Sequence, residues 1–386
     1  MKSKKIVMPK WPISTCEEQN AIARVLESNS WWRNEGNETK QFEKEFSEYH
    51  QCLGGIAVTN GTVALEVALK SLGIGPGDEV IVPDFTFYST ISAVLAVQAK
   101  PILVDVNAET YCIDVRCVEN AITERTRAII AVHIAGNIAD IDTLLDICKK
   151  NKLFLIEDAA HAHGAEWKGR KAGSFGDVST FSFQNAKLMT AGEGGIILSN
   201  NRNLLEEILL EANCGRAETD TSYNHIRIGT NARLSEVQSA ILRVQLSRLQ
   251  AQTMLRISNY KYLQQKLKEI KGVELQKESK GVSLNPHYMV MFQLNNYSDE
   301  INRDFVVANL KSNGFPANRA YKAIHELPIM SKIEKNRWGK GENEKNFCDW
   351  NSTMISNNVI CLSHVFLLAG KEVIDKFVEV LYDMTK

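Results

Sequence analysis

Between residues 54 and 200 the chain repeats one pattern: a short, continuous apolar run rich in β-branched residues, then a longer stretch whose apolar positions recur at helical spacing. The short runs predict strands at Gly55–Thr59, Glu79–Val82, Pro101–Val106, Ala128–Ile134, Leu153–Glu157 and Thr180–Phe183, with another beginning at Ile196. The longer stretches predict helices over Thr62–Leu72 (stopped by Gly73), through Ala93, and over Asp140–Lys150. Short β-rich runs separated by helices need cover on both faces of the sheet, so the pattern predicts an α/β fold with a mainly parallel sheet. Upstream, residues 14–28 read as a helix capped by Ser14 or Thr15 with acids in its first turn, and Phe42–His50 reads as a second helix. The segment between them is polar and turn-rich except for Trp31 and Trp32, which suit either a lid over a pocket or a local hydrophobic anchor.

Near Ser235 the alternation gives way to a long helical stretch reaching Ile270, of the kind that often leaves one domain and enters another. Beyond Gly272 come an alternating strand candidate over 287–294, a helix over Asp304–Lys311 and a last helix near 371–384. That mixed order predicts a smaller C-terminal α+β domain, with residues 1–250 forming the large domain and 251–386 the small one. The polar run KIEKNRWGKGENEKN, 332–346, reads as a solvated loop.

Composition changes this picture little. The 386 residues suffice for two domains and a large core. A formal net charge of −1 gives no pull toward nucleic acid or an anionic membrane. The N-terminal residues are basic but lack the apolar core of a secretory signal, and no window approaches the length of a membrane span. Eight cysteines are scattered without a C-x-x-C pair, Cys112 and Cys117 being nearest to one another, which predicts reduced thiols in the cytoplasm.

Ligands of open α/β sheets bind at the carboxyl ends of the strands, and four features fall there. Asn60-Gly61-Thr62 ends a strand and opens a helix, where free N–H groups and the Thr62 hydroxyl suit an anion. Phe85-Thr86-Phe87-Tyr88 follows another strand and offers rings that could stack on a flat cofactor or simply pack in the core. Asp158 stands at the tip of the strand in FLIEDAAHAHG, able to pair with a protonated ring nitrogen or to cap the next turn. His161 and His163 lack the nearby third ligand of a metal site, so no metal is expected. The fourth feature is TFSFQNAKLMTAGEGGIILSN, 180–200, in which Ser182 and Gln184 precede Lys187 and no acid stands near that lysine until Glu193. A lysine in a partly dry loop loses its proton readily and can attack a carbonyl. The GEGG at 192–195 leads into a strand, which excludes a dinucleotide fingerprint. An anion cradle, an aromatic shelf, a carboxylate and a lysine are together what pyridoxal 5'-phosphate requires.

The segments NGTVALEVAL, GDEVIVPDFTF, EDAAHAHGA, FSFQNAKLMTAGEGG and NARLSEVQSAIL resemble, in order and spacing, the DegT/DnrJ/StrS-type sugar aminotransferases. The resemblance covers most of the chain and implies a fold-type I pyridoxal phosphate enzyme. It implies Lys187 as the Schiff-base lysine, Asp158 as partner of the pyridinium nitrogen, His161 beside the ring and Phe87 as the stacking residue. It also implies Gly61, Thr62 and Ser182 at the phosphate, with Gln184 flanking. Asn231 is implied to reach the phosphate of a neighbouring subunit, hence a homodimer with shared sites.

Within that family WWRNEGNE, NCGR, HYMVMF and GFPANRAYKAIH are most similar to 3-amino-5-hydroxybenzoate synthases and cyclitol aminotransferases. Many members carry HY-x-P-L-H; here Ala320-Tyr321-Lys322-Ala323-Ile324-His325 stands in its place, which points away from the common nucleotide-sugar substrate. Trp32, Tyr321, Lys322 and His325 are the substrate candidates, and Arg216, Arg227, Arg233 and Arg319 are unranked candidates for a donor carboxylate. The resemblance implies amino transfer from glutamate or glutamine to a keto-sugar or keto-cyclitol in secondary metabolism. The alternatives are an aromatising dehydration of an aminodehydroshikimate and a non-catalytic pyridoxal-binding regulator.

Overall fold

The computed structural model describes residues 6–218, 220, 222–295, 302–333 and 350–385, so most of the polar run 332–346 lies outside the described residues. Its first nine strands are β1 (Gly54–Val58), β2 (Glu79–Pro83), β3 (Lys100–Val104), β4 (Thr126–Val132), β5 (Phe154–Asp158), β6 (Glu166–Trp167), β7 (Arg170–Lys171), β8 (Val178–Ser182) and β9 (Gly195–Ser199). Seven of these form one sheet in the order β1-β9-β8-β5-β4-β2-β3. Strands β8, β5, β4, β2 and β3 pair in parallel, and β9 runs antiparallel to both of its neighbours. The exception has a local cause: residues 183–194 carry no helix, and a parallel return needs a crossover. The loop that holds Lys187 therefore folds back over the carboxyl edge of the sheet.

Helices close both faces of this sheet, among them Gly61–Ser71, Ser89–Ala96, Ile141–Asn151 and Val115–Ala121, the last unanticipated because it is short and weakly patterned. Helix starts follow their caps. Thr15 and Glu18 form a capping box at Cys16–Ser28, and Ser235 and Gln238 form another at the 32-residue helix Glu236–Leu267. Asn60 caps Gly61–Ser71, its side-chain oxygen accepting the Val63 N–H at 2.9 Å.

The remaining strands are β10 (Val273–Leu275), β11 (Val282–Leu284), β12 (Met289–Leu294), β13 (Ala317–Arg319) and β14 (Ile360–Ser363). Four of them make an antiparallel sheet in the order β10-β12-β14-β13, while β11 pairs with β6. One core lies around the large sheet, and a second gathers Leu263, Val290, Phe292, Phe366 and Phe377. Tyr288, Met291, Ile355, Val359 and Cys361 belong to the first core despite their late position in the chain. The C-terminal residues thus wall the carboxyl edge of the large sheet.

Cys16, Cys52, Cys112, Cys148, Cys214 and Cys361 are free thiols. Cys117 is disulfide-bonded, which corrects the expectation of uniformly reduced thiols. Its neighbour Cys112 stays free, since proximity in sequence does not by itself aim two Cβ atoms at each other. Among the described residues no helix is long and apolar enough to cross a membrane.

Candidate active site

The carboxyl ends of β1, β2, β4, β5 and β8 open into a cavity of about 600 Å3. Its lining includes Asn60, Gly61, Thr62, Thr86, Phe87, Ser89, Thr90, Asp158, His161, Ser182, Gln184, Lys187, Glu193, Tyr288 and Tyr321. Residues far apart in the chain meet here because parallel strands end on one edge and their loops converge there.

Asp158 is the last residue of β5, buried and in register with Val132 and Thr180 of the adjacent strands. Its Oδ2 accepts from Thr90 Oγ1 at 3.0 Å, and its Oδ1 accepts from the Ala160 N–H at 3.3 Å. Thr90 Oγ1 also lies 2.9 Å from Thr86 Oγ1. Burial raises the Asp158 carboxyl above its ordinary range, opposed by the Thr90 hydrogen bond and the Lys187 charge. Lys187 moves the other way: burial lowers its amine from 10.5 to about 8, opposed by Asp158. A carboxylate short of stabilisation thus shares the cavity with an amine that gives up its proton more readily than an exposed lysine.

His161 is buried and stacked on Tyr288, ring centroids 4.2 Å apart at 22°. The backbone N–H of Ala135 donates to its Nδ1 at 3.3 Å, which leaves the ring proton on Nε2, 3.5 Å from the Tyr321 hydroxyl. Burial, with Lys187 nearby, holds this imidazole well below its usual range, so it is neutral. The Lys187 amine sits over the Tyr288 ring, 4.8 Å from its centroid.

At the opposite wall, helix Gly61–Ser71 presents its N-terminus beside hydroxyls. Thr62 Oγ1 and Ser89 Oγ are 2.6 Å apart, and Ser182 lies against Gly61. A Cβ on Gly61 would stand 2.8 Å from the Ser182 Cβ, so glycine keeps this corner open. Phe87 lines the mouth, 55% exposed, its ring 5.9 Å from that of Tyr321. Gln184 is exposed at the rim, its Oε1 accepting the Ala186 N–H at 2.8 Å.

These residues fit pyridoxal phosphate. Lys187 would hold its aldehyde covalently, and Asp158 would face its ring nitrogen, whose positive charge would stabilise the buried carboxylate. The helix N-terminus with Thr62, Ser89 and Ser182 would take the phosphate.

Other residues singled out from the sequence lie elsewhere. Asn231 and Trp32 share a surface recess with Trp31, Arg33 and Arg233 rather than lining the cavity of their own chain. Lys322 is exposed outside the cavity lining. His325 is occupied by Asp84: its Nδ1 lies 2.6 Å from Asp84 Oδ2, and its backbone N–H donates to Asp84 Oδ1 at 2.9 Å. The sequence reading missed Ser89, Thr90 and Tyr288 in the lining. Ser89 and Thr90 follow the aromatic run directly and could have been found as a hydroxyl cluster at a strand end. Tyr288 gives no such signal, because it arrives from the second sheet.

The profile of the DegT/DnrJ/EryC1/StrS aminotransferase family matches residues 12–377. The chain is 39% identical to 3-amino-5-hydroxybenzoate synthase of Amycolatopsis mediterranei (strain S699), over 97% of this chain and 96% of that protein. It is 34% identical to L-glutamine:2-deoxy-scyllo-inosose aminotransferase of Streptoalloteichus tenebrarius, over 88% of this chain and 84% of that one. A crystal structure of 3-amino-5-hydroxybenzoic acid synthase superposes with a TM-score of 0.93 at 39% identity, covering 99% of each chain. With the profile spanning nearly its whole length and relatives of this identity, the chain belongs to the DegT/DnrJ/EryC1/StrS aminotransferase family of pyridoxal phosphate enzymes.

Proposed function

We propose that the protein moves an amino group from glutamine or glutamate to a ketone on a cyclitol or sugar ring, in secondary metabolism. The observation that carries this reading is the pairing, in one cavity, of the buried Lys187 amine, which loses its proton near pH 8 rather than 10.5, with the buried Asp158 carboxylate. The similarity to an L-glutamine-dependent cyclitol aminotransferase supports the donor and the acceptor class. Pyridoxal phosphate, when bound, supplies an aldehyde that captures amines and a ring that accepts electrons from the carbon losing a proton.

The protein's own residues supply the rest. The Lys187 amine takes a proton from the substrate carbon and returns it to the carbon that gains the amino group. Asp158 keeps a positive charge opposite itself in a dry site, where such pairing is strong. His161, neutral and fixed through Nδ1, offers its Nε2–H toward Tyr321 and the cavity.

The donor carboxylate needs a cation. Arg216 pairs with Asp220, Arg227 with Glu207 and Glu211, and Arg319 with Asp304. Arg233 instead bonds the amide of Asn213 and faces Trp32, in the recess that also holds Asn231. We assign the carboxylate to Arg233, and the recess to the site of a second subunit in a homodimer. Its exposure away from the cavity of its own chain supports that arrangement.

The loaded protein incubated with glutamine or glutamate is expected to release the corresponding 2-oxo acid and to shift its absorbance to shorter wavelength. A second reading, aromatising dehydration of an aminodehydroshikimate, draws on the 39% identity with 3-amino-5-hydroxybenzoate synthase. If glutamine, glutamate and alanine all release no oxo acid while an aminodehydroshikimate becomes aromatic, the second reading replaces the first.

A further inference from the structure

Tyr288 is held in the cavity by an unusual piece of backbone. Ala135 adopts a left-handed conformation, φ 59° and ψ 12°, which is strained for a residue with a side chain. From there its N–H donates to His161 Nδ1 at 3.3 Å, while its carbonyl accepts the Tyr288 N–H at 3.1 Å. One peptide turn thus fixes both partners of the His161–Tyr288 stack. Gly136 follows with φ 94°, and a Cβ there would lie 2.6 Å from Asn285 Oδ1, so the turn also seats the loop that delivers Tyr288. The Tyr288 carbonyl in turn accepts the His364 N–H at 3.1 Å. The His364 ring stands 6.1 Å from the Tyr288 ring at 23°. Tyr288 is therefore held through both its N–H and its carbonyl, and its ring lies under the Lys187 amine, 4.8 Å from the centroid.

We propose that Tyr288 is a positioning residue for Lys187: its ring face holds the ammonium form of that amine and so sets where the lysine rests while it carries a proton. The attraction is electrostatic, between a cation and the negative face of the ring, and it strengthens where water is excluded. It acts on the protonated form alone, so it opposes the desolvation that drives Lys187 toward neutrality. Burial pushes the Tyr288 hydroxyl up to about 12, so the ring stays uncharged across the working range. Asp158, at the end of β5, is the acid facing the same amine. His161, His163 and His364 also lie near it, and burial holds all three neutral. The face of Tyr288 is thus an uncharged partner for the amine in addition to Asp158.

This inference rests on Lys187 being the reactive amine, and it is tested without cofactor or turnover. Cofactor-free full-length protein is treated with an amidine-forming imidate at a series of pH values. Mass spectrometry then reads the labelling rate of Lys187 in wild type, Tyr288→Phe, Tyr288→Leu and Tyr288→Met. Phe keeps the ring and leaves the Lys187 midpoint in place. Leu and Met keep an apolar wall but remove the ring face, and each lowers the midpoint by about half to one unit. Two apolar variants are used so that one that fails to fold leaves the other to be read. An unchanged midpoint in the folded variant overturns the proposal. So does a rise toward the value of exposed lysines, because that would mean Tyr288 only keeps water out. Failure here leaves the glutamine assay of the proposed reaction untouched.

Discussion

At Lys187 the lowered amine value has a thermodynamic consequence with a definite sign. Burial takes it from 10.5 to about 8. Between those values the unfolded chain binds a proton that the folded chain does not, so stability from this group rises with pH across that window. Cofactor-free wild type should therefore be less stable than Lys187→Met below about pH 8, and the gap should narrow as pH climbs toward 10.5. Urea unfolding at several pH values measures the gap, and a gap indifferent to pH would show that the amine is not desolvated. Asp158→Asn makes the complementary test. The two side chains are nearly isosteric, and the amide oxygen still accepts one of the hydrogen bonds from Thr90 Oγ1 and the Ala160 N–H. Turnover is expected to fall about 100-fold or more, as for removal of a preorganised electrostatic partner. Near-normal turnover in a folded variant would reduce Asp158 to a cap on the following turn.

Among the elements, the carboxyl ends of β2 and β3 act as a clasp for the C-terminal wall of the cavity. Asp84, buried just beyond β2, receives the His325 backbone N–H and side chain and the Ser352 hydroxyl at 2.5 Å. Asp105 receives the backbone N–H groups of Asn351 at 2.6 Å and Ser352 at 3.0 Å. The clasp holds the segment carrying Tyr321 against the site. The Asp84 hydrogen bond and charge, with Glu326 and Asp105 adding to it, raise the His325 imidazole above its ordinary 6.5. A raised value contributes stability that is fully present below 6.5 and is lost as pH rises through the folded value. His325→Ala should then destabilise by about 1 kcal/mol in mild acid, a figure discounted for partial exposure, and by less at pH well above neutrality. Denaturant midpoints for both proteins at the two pH extremes decide this, and a larger loss in alkali would contradict the clasp. The expectation that His325 contacts substrate now competes with this structural engagement.

For the whole molecule, the proposed dimer makes the most direct claim. Asn231 and Trp32 sit in a recess outside the cavity of their own chain, and Tyr223 and Ile228 nearby in sequence are 72% and 93% exposed. Inactive Lys187→Ala chains mixed with inactive Asn231→Ala chains should regain activity, with about a quarter of the sites intact after random exchange into C2 dimers. Exchange is verified by native mass spectrometry of differently tagged chains. Exchanged dimers that stay inactive would place Asn231 in the service of its own subunit.

What the sequence determined by itself was local or repetitive. Runs of apolar residues located the strands of the large sheet. The Ser14-Thr15 pair with its following acids and the change of pattern near Ser235 located two helix starts, because a cap acts within three residues of itself, and the structure chose Thr15 as the first cap. Lys187, Asp158, Gly61, Thr62 and Ser182 were legible because each stands at a strand end or in the loop after one, and parallel strands bring such ends to one edge. Tertiary structure alone decided what depends on contacts between distant segments. No periodicity announces that β9 runs against its neighbours, that β11 pairs with β6, or that Cys117 is bonded while Cys112 is not. Tyr288 lies in a stretch that reads only as a strand, and becomes a wall of the cavity because the strained turn at Ala135 holds it against His161. His325 reads as a free substrate ligand until Asp84, 241 residues away, is seen to occupy it. Backbone preference acts over a few residues, whereas burial and hydrogen bonding assign partners only once the chain has closed on itself.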